Sequence, residues 1–178
     1  RRVALSATAA HPEELLDWLS PAGNRLVSPV RLIEVKGGRK PKVSILSSKQ
    51  RIPWSGHMAM HAMGEVYAHI CESHTAIVFV NTRAQAELVF AELWRLNSKN
   101  LSIGIHHGSL AREQRQRIEA AMARGELRAI VATSSLDLGI DWGAVDLIIQ
   151  VGAPKGASRL LQRIGRANHR LDEPSRAL

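Results

Sequence analysis

Cysteine is almost missing from this sequence: Cys71 stands alone among 178 residues. Neither a disulfide framework nor a cysteine-based zinc site can therefore hold the fold together. No stretch approaches the roughly 20 uninterrupted apolar residues that a membrane-crossing helix requires. The opening Arg1-Arg2-Val3-Ala4-Leu5-Ser6 has too short an apolar part for a signal peptide. A cytoplasmic protein with no membrane partner is expected. Aromatic residues are also scarce, with one Tyr, two Phe and four Trp, which leaves little material for a base-stacking platform. Acidic residues fall short of basic ones, 16 against 24, and the formal net charge is +8. Such an excess favours nucleic acid as a partner, held through its backbone and thus with weak sequence preference.

What is present is a globular composition, 45% hydrophobic and 22% charged, suited to one domain or to one domain with a stub attached. Short apolar runs alternate with amphipathic stretches from about residue 40 onward. That alternation predicts a parallel sheet with helices on both faces. Strands are expected near Lys42 to Leu46, Ala76 to Val80, Leu101 to His106, Leu127 to Thr133 and Val145 to Val151. Several are apolar without alternation, as strands covered on both sides are. Thr82 with Gln85 three residues on forms a capping-box pattern, and Ala86, Val89, Phe90 and Leu93 then share one helical face. Ser109 is placed to cap a helix that ends at Gly125, and an earlier helix is expected from about Gly56 to Cys71.

The first 38 residues differ from the rest. Arg2 to Ala7 and Val30 to Val35 read as strands, Pro12 to Leu19 as a short helix, and Gly37-Gly38-Arg39-Lys40-Pro41 as a linker. No strand partner is evident within this length. Residues 1–38 are therefore expected to be the tail of a preceding domain, and residues 39–178 a domain in their own right.

After Pro154 a helix is expected in which Ala157, Leu160, Leu161, Ile164 and Ala167 share one face. Arg159, Gln162, Arg163, Arg166, His169 and Arg170 share the other, with no carboxylate before Asp172. The planar, permanently charged guanidinium suits bidentate contact with phosphate oxygens. Upstream, Ala132-Thr133-Ser134-Ser135-Leu136-Asp137-Leu138-Gly139-Ile140-Asp141 follows an apolar strand and puts hydroxyls, a glycine and two acids into one turn. In an open parallel sheet, ligands bind at such loops, at the carboxyl ends of the strands. Hydroxyls and backbone N–H groups there can hold phosphate, and a carboxylate can take either a ribose hydroxyl or a guanidinium.

Five segments together resemble a known family. Ser6-Ala7-Thr8, Ile77-Val78-Phe79-Val80-Asn81-Thr82-Arg83, His106-His107-Gly108-Ser109-Leu110, the Ala132 to Asp141 stretch and Gln162-Arg163-Ile164-Gly165-Arg166 are similar, in order, to helicase motif III, motif IV, the histidine-glycine turn after it, motif V and motif VI. Order and spacing resemble superfamily 2 helicases, and the wording resembles the large helicase-related branch with its bacterial, ligase-associated DEXH-box relatives in DNA repair. The resemblance implies a RecA-like α/β fold, a three-layer parallel sheet with helices on both faces. It implies the second of two such domains in an ATP-dependent motor, with ATP between them and motif III in residues 1–38.

By position, Arg166 is the implied arginine finger, with Gln162 near the nucleotide and His169 or Arg170 as a second contact. Here the usual final arginine of motif VI is replaced by His169. Gly139, Asp141 and Arg163 are implied on the nucleotide side. Asn81, Thr82 and Arg83, with Thr133 and Ser134, would face the nucleic-acid backbone, joined by His107 and Gly108 at the ligand edge of the sheet. Ser6 and Thr8 would couple hydrolysis to domain movement. The implied substrate is single-stranded or partly duplex DNA, with RNA an open alternative, and DNA-repair proteins are the implied partners.

Two motor parts are missing. The sequence contains no Gly-Lys dipeptide and hence no Walker A loop, and its one Asp-Glu pair, Asp172-Glu173, follows motif VI. ATP and Mg²⁺ are thus expected to bind only together with a first RecA-like domain, and no hydrolysis is expected from this chain alone. The competing reading is a non-catalytic module, derived from a helicase domain, that holds nucleic acid or a partner protein. His57, His61 and Glu65 lie one turn apart, but lack the H-E-x-x-H arrangement, so a solvated helix face is expected rather than a metal site.

Overall fold

The structure, a computed structural model, describes residues 3–6, 11–20, 30–34, 40–54, 58–137, 145–167 and 174–178. The chain divides into two compact units, Arg1–Gly37 and Gly38–Leu178. In the first, α1 (Pro12–Leu19) starts with proline at its first turn, where a missing N–H costs nothing, and carries Glu13 and Glu14 at its positive end. Leu16 is buried, while Leu15 and Trp18 are exposed. The strands expected around it are not formed: residues 3–6 and 30–34 have no regular structure.

The described residues of the second unit contain six strands, β1 (Lys42–Val43), β2 (Ala76–Phe79), β3 (Ile103–His106), β4 (Ala129–Ala132), β5 (Leu147–Gln150) and β6 (Arg176–Ala177). They form one sheet in the order β1-β6-β5-β2-β4-β3, with every pairing parallel. The RecA-like α/β fold follows from this arrangement. The two-residue strand β6, which no sequence pattern announced, joins β1 to the rest.

Alternate residues of the central strands feed two cores, as the pleat requires. Val78, Val80, Val131 and Ile149 pack with Val66, Ile70, Val89 and Leu93 of α2 (Met63–Glu72) and α3 (Arg83–Leu96). Ile77, Phe79, Ile130 and Ile148 pack on the opposite face with Met122 of α4 (Arg112–Ala123) and Ile164 of α5 (Ala157–Ile164). Helices therefore cover both faces. None among the described residues is long and apolar enough to cross a membrane.

The strands are shorter than expected, β1 most of all, and three helix boundaries depart from the sequence pattern. Within the described part of the segment from Gly56, helix begins only at a short 3₁₀ turn over Met60–Ala62, because Met58 and Ala59 sit at φ 44° and 62°, outside helical backbone. Ser109 does not cap α4, whose N-cap is Ala111 without a side-chain bond; its hydroxyl is taken up elsewhere. Helix α5 stops at Ile164 and residues 165–167 are not helical, while Asn168, His169 and Arg170 lie outside the described residues.

Candidate functional site

Because all strands are parallel, the loops after β2, β3, β4 and β5 meet at one edge of the sheet. On the β2 side, the Thr82 hydroxyl accepts the Gln85 N–H at 3.1 Å and so caps α3. The Gln85 side chain returns the bond one residue early, accepting the Asn81 N–H at 3.1 Å. The Asn81 amide donates to the Ala153 carbonyl at 2.8 Å and ties this turn to the loop after β5. There Gly152 has φ +80°, which favours glycine. Arg83 is exposed and donates to the Ser109 hydroxyl at 3.1 Å, reaching the turn after β3. Gly108 and Ser134 are also exposed, and Thr133 is half-buried.

His107 does not share that exposure. Its side chain is 3% exposed, with Nε2 2.7 Å from Glu87 Oε1. The Ser109 N–H donates to Nδ1 at 3.3 Å, so the ring proton sits on Nε2, toward Glu87. Expected to contact nucleic acid, the ring is here enclosed by the turn that it orders. His106 is enclosed as well, between the Ser135 hydroxyl at 2.7 Å and Glu119 at 2.9 Å.

On the β4 side α5 packs Ile164 into the second core, and its arginines do not form one exposed stripe. Arg163 is 2% exposed. Its Nε and Nη2 donate to the two carboxylate oxygens of Asp137 at 2.8 and 3.4 Å. Nη1 donates to Gln150 Oε1 at 2.6 Å, and the guanidinium carbon sits 4.5 Å from the centre of the Phe79 ring. Asp137, Gln150 and Phe79 thus surround the guanidinium that was expected on the nucleotide side. Asp137 is the residue the sequence left undecided, since a carboxylate in that loop suits a ribose or a guanidinium equally well. Arg159 keeps 41% of its side chain exposed, with Nε 3.5 Å from Asp137 Oδ2. Arg166, half-buried, donates from Nη2 to the Asp137 carbonyl at 2.9 Å, and Gln162 is half-buried nearby in sequence.

Gly139, Asp141, His169, Arg170 and Thr8 lie outside the described residues, as does His57; Ser6 is exposed in the first unit. Glu65 accepts the Lys49 N–H at 3.0 Å and the Ser48 hydroxyl at 3.1 Å. Those bonds, the backbone one foremost, hold its carboxyl below its ordinary range. Among the described residues no group of three or more His, Cys, Asp or Glu could hold a metal ion.

Comparison with known proteins gives the arrangement a context. The family model for the helicase conserved C-terminal domain matches residues 57–170. The chain is 35% identical over 181 residues to an ATP-dependent helicase Lhr-Core protein 2 of Thermococcus barophilus, covering 99% of this chain and 21% of that protein. It is similar to the Lhr helicase and probable uracil glycosylase of Mycolicibacterium smegmatis, 32% identical over all of this chain and 14% of that one. Among solved structures, the Mycobacterium smegmatis helicase Lhr bound to ssDNA and AMP-PNP superposes with a TM-score of 0.82 at 33% identity, over 97% of this chain and 23% of that one. The helicase MrfA bound to DNA and AMPPNP gives a TM-score of 0.69 at 25% identity, over 97% and 24%. The chain thus spans about a fifth of the length of relatives such as the Thermococcus protein.

Proposed function

Because the chain belongs to the helicase conserved C-terminal domain family of superfamily 2, we propose that it is the second motor domain of an ATP-dependent DNA helicase or translocase, acting in the cytoplasm in DNA repair. One observation carries this reading: at the ligand edge of the sheet Arg159 and Arg163 pair with the Asp137 carboxylate, and Arg166 donates to the Asp137 backbone carbonyl. Among the described residues the Arg163–Asp137 pair cancels its own charge, and the less buried Arg159 and Arg166 beside it form a cationic donor set that fits a polyphosphate. The solved relatives hold AMP-PNP and DNA, in keeping with both halves of the proposal.

ATP, when bound, supplies a transferable phosphoryl group on which negative charge develops. Arg166, held at the edge by its bond to the Asp137 carbonyl, stabilises that charge as the arginine finger. Gln162 orients beside it, and Arg170 or His169 provides a second contact. With no Walker A loop in the sequence and its one Asp-Glu pair placed after motif VI, the Walker lysine and the Mg²⁺ carboxylates are assigned to a first RecA-like domain in cis. Ser6 and Thr8 couple the two domains.

On the β2 side the exposed Arg83, with Thr82, Gly108, Thr133 and Ser134, forms the track for the DNA backbone. Asn81 acts through its tie to Ala153, which holds the motif IV turn in place. Backbone N–H groups at the start of the 14-residue helix α3 favour phosphate there.

The test is Arg166→Ala in a protein with the first RecA-like domain present in cis. Turnover should fall by about 10³-fold or more while nucleotide binding persists, since the finger acts on the transition state. Near-normal turnover would refute the assignment. The chain alone should show no DNA-stimulated hydrolysis; robust turnover by it would contradict the two-domain site, and salt-insensitive DNA binding would favour a partner-binding module.

A further inference from the structure

Arg166 lies one residue past Gly165, outside the regular helix α5, where a backbone left to itself would not hold a side chain in one place. Two backbone carbonyls anchor it. Its N–H donates to the Arg163 carbonyl at 2.9 Å, and its Nη2 donates to the Asp137 carbonyl at 2.9 Å. Arg163 and Asp137 are the two members of the buried ion pair. The pair therefore sets the spacing between the anchors of Arg166. Arg163 is itself fixed on its remaining sides by Gln150 and Phe79.

We infer that Asp137 is a positioning residue: by pairing with Arg163 while its own carbonyl holds Arg166, it sets the place from which Arg166 acts. The inference rests on the reading of Arg166 as the arginine finger. Stability alone gives no reason for the pair, because replacing a buried ion pair by apolar groups of similar volume is often neutral or stabilising. An ion pair with a two-pronged fork adds what apolar packing lacks, a defined direction and register. It also joins the loop after β4 to the end of α5, so a shift of either moves Arg166. Asp137 and Arg163 thus act on turnover through Arg166, without contacting the nucleotide.

The decisive variant is Asp137→Leu/Arg163→Met, made with the first RecA-like domain present in cis. Its unfolding midpoint should match or exceed the parent's, as apolar replacement of a buried pair allows. Its kcat should fall on the order of 100-fold with KM for ATP little changed, the signature of a misplaced group that acts in the transition state. Val89→Ala, in the other core, is the comparator: it lowers the midpoint and leaves kcat intact. In the present chain without nucleotide, amide exchange at Arg166 and Ala167 should quicken at least about 10-fold in the double variant, while Ile77 and Val78 keep their protection. Arg163→Lys provides a second route, since an ammonium cannot reproduce the fork to Asp137 and Gln150 together; the same fall in kcat is expected. Wild-type kcat in the double variant, beside a dead Arg166→Ala, would overturn the positioning role and leave the finger standing. Unchanged exchange at Arg166 would overturn it as well. Turnover surviving Arg166→Ala would instead remove the finger and this inference together.

Discussion

Two arginines at the same sheet edge contrast in how a cation is held. Arg83, on the β2 side, is exposed and makes one bond to a hydroxyl, at 3.1 Å from Ser109. Arg163, on the β4 side, is 2% exposed and bound by a carboxylate, an amide oxygen and an aromatic ring. Both are written as Arg in motif-like segments, yet only the exposed one can exchange its partner for phosphate without loss of packing. Burial turns the other into structure. An arginine pattern in a sequence therefore marks a charged edge but does not say which guanidinium meets the ligand.

The contrast breaks most sharply if the buried partner is removed. Asp137→Ala strands the Arg163 charge, which should cost about 3–5 kcal/mol in urea unfolding of the chain; a loss no larger than that of an average surface substitution would mean that Arg163 reaches solvent. His107→Ala comes next, at roughly 1–3 kcal/mol, because the Ser109 N–H loses its buried acceptor and the ring leaves a cavity. No change in the same unfolding measurement would return His107 to the exposed side. Thr82→Ala should cost about 1 kcal/mol through loss of the α3 cap, and Thr82→Ser should recover most of it.

Arg83→Ala should leave the unfolding midpoint alone. It should instead flatten the salt dependence of single-stranded DNA binding by about 0.7 in the log–log slope, the share of one phosphate contact. A fluorescence anisotropy titration at several salt concentrations measures this, and an unchanged slope would take Arg83 off the proposed track. The smallest effect concerns Glu65, whose folded carboxyl titrates below its ordinary value of 4.5. A lowered folded value means that the contribution is present above the unfolded value and lost as pH falls through the folded one. Glu65→Gln should thus differ from the parent at neutral pH and converge with it in acid; a gap that widens in acid would reverse the sign.

Apolar strands, helical spacing and turn residues were enough to determine the layered parallel sheet. Ile77, Phe79, Ile130 and Val131 lack alternation because both sheet faces are covered, and that is visible in one dimension. The capping role of Thr82 was equally legible, since a cap involves residues three apart. The strand β6 was not, because two residues form a strand only where a partner already waits. Neither was the start of α2, set by the left-handed backbone at Met58 and Ala59.

At the site, local sequence determined which loops carry the polar groups and that arginines crowd the last helix. The tertiary structure alone decided which arginine is spent inside. Helical periodicity places Arg163 on the same face as Arg159 and Arg166, but that face looks toward Asp137, Gln150 and Phe79, contributed by strands and loops 13 or more residues away. A guanidinium is buried only where an anion, an acceptor and a ring converge on it, and convergence of distant segments is a property of the folded chain.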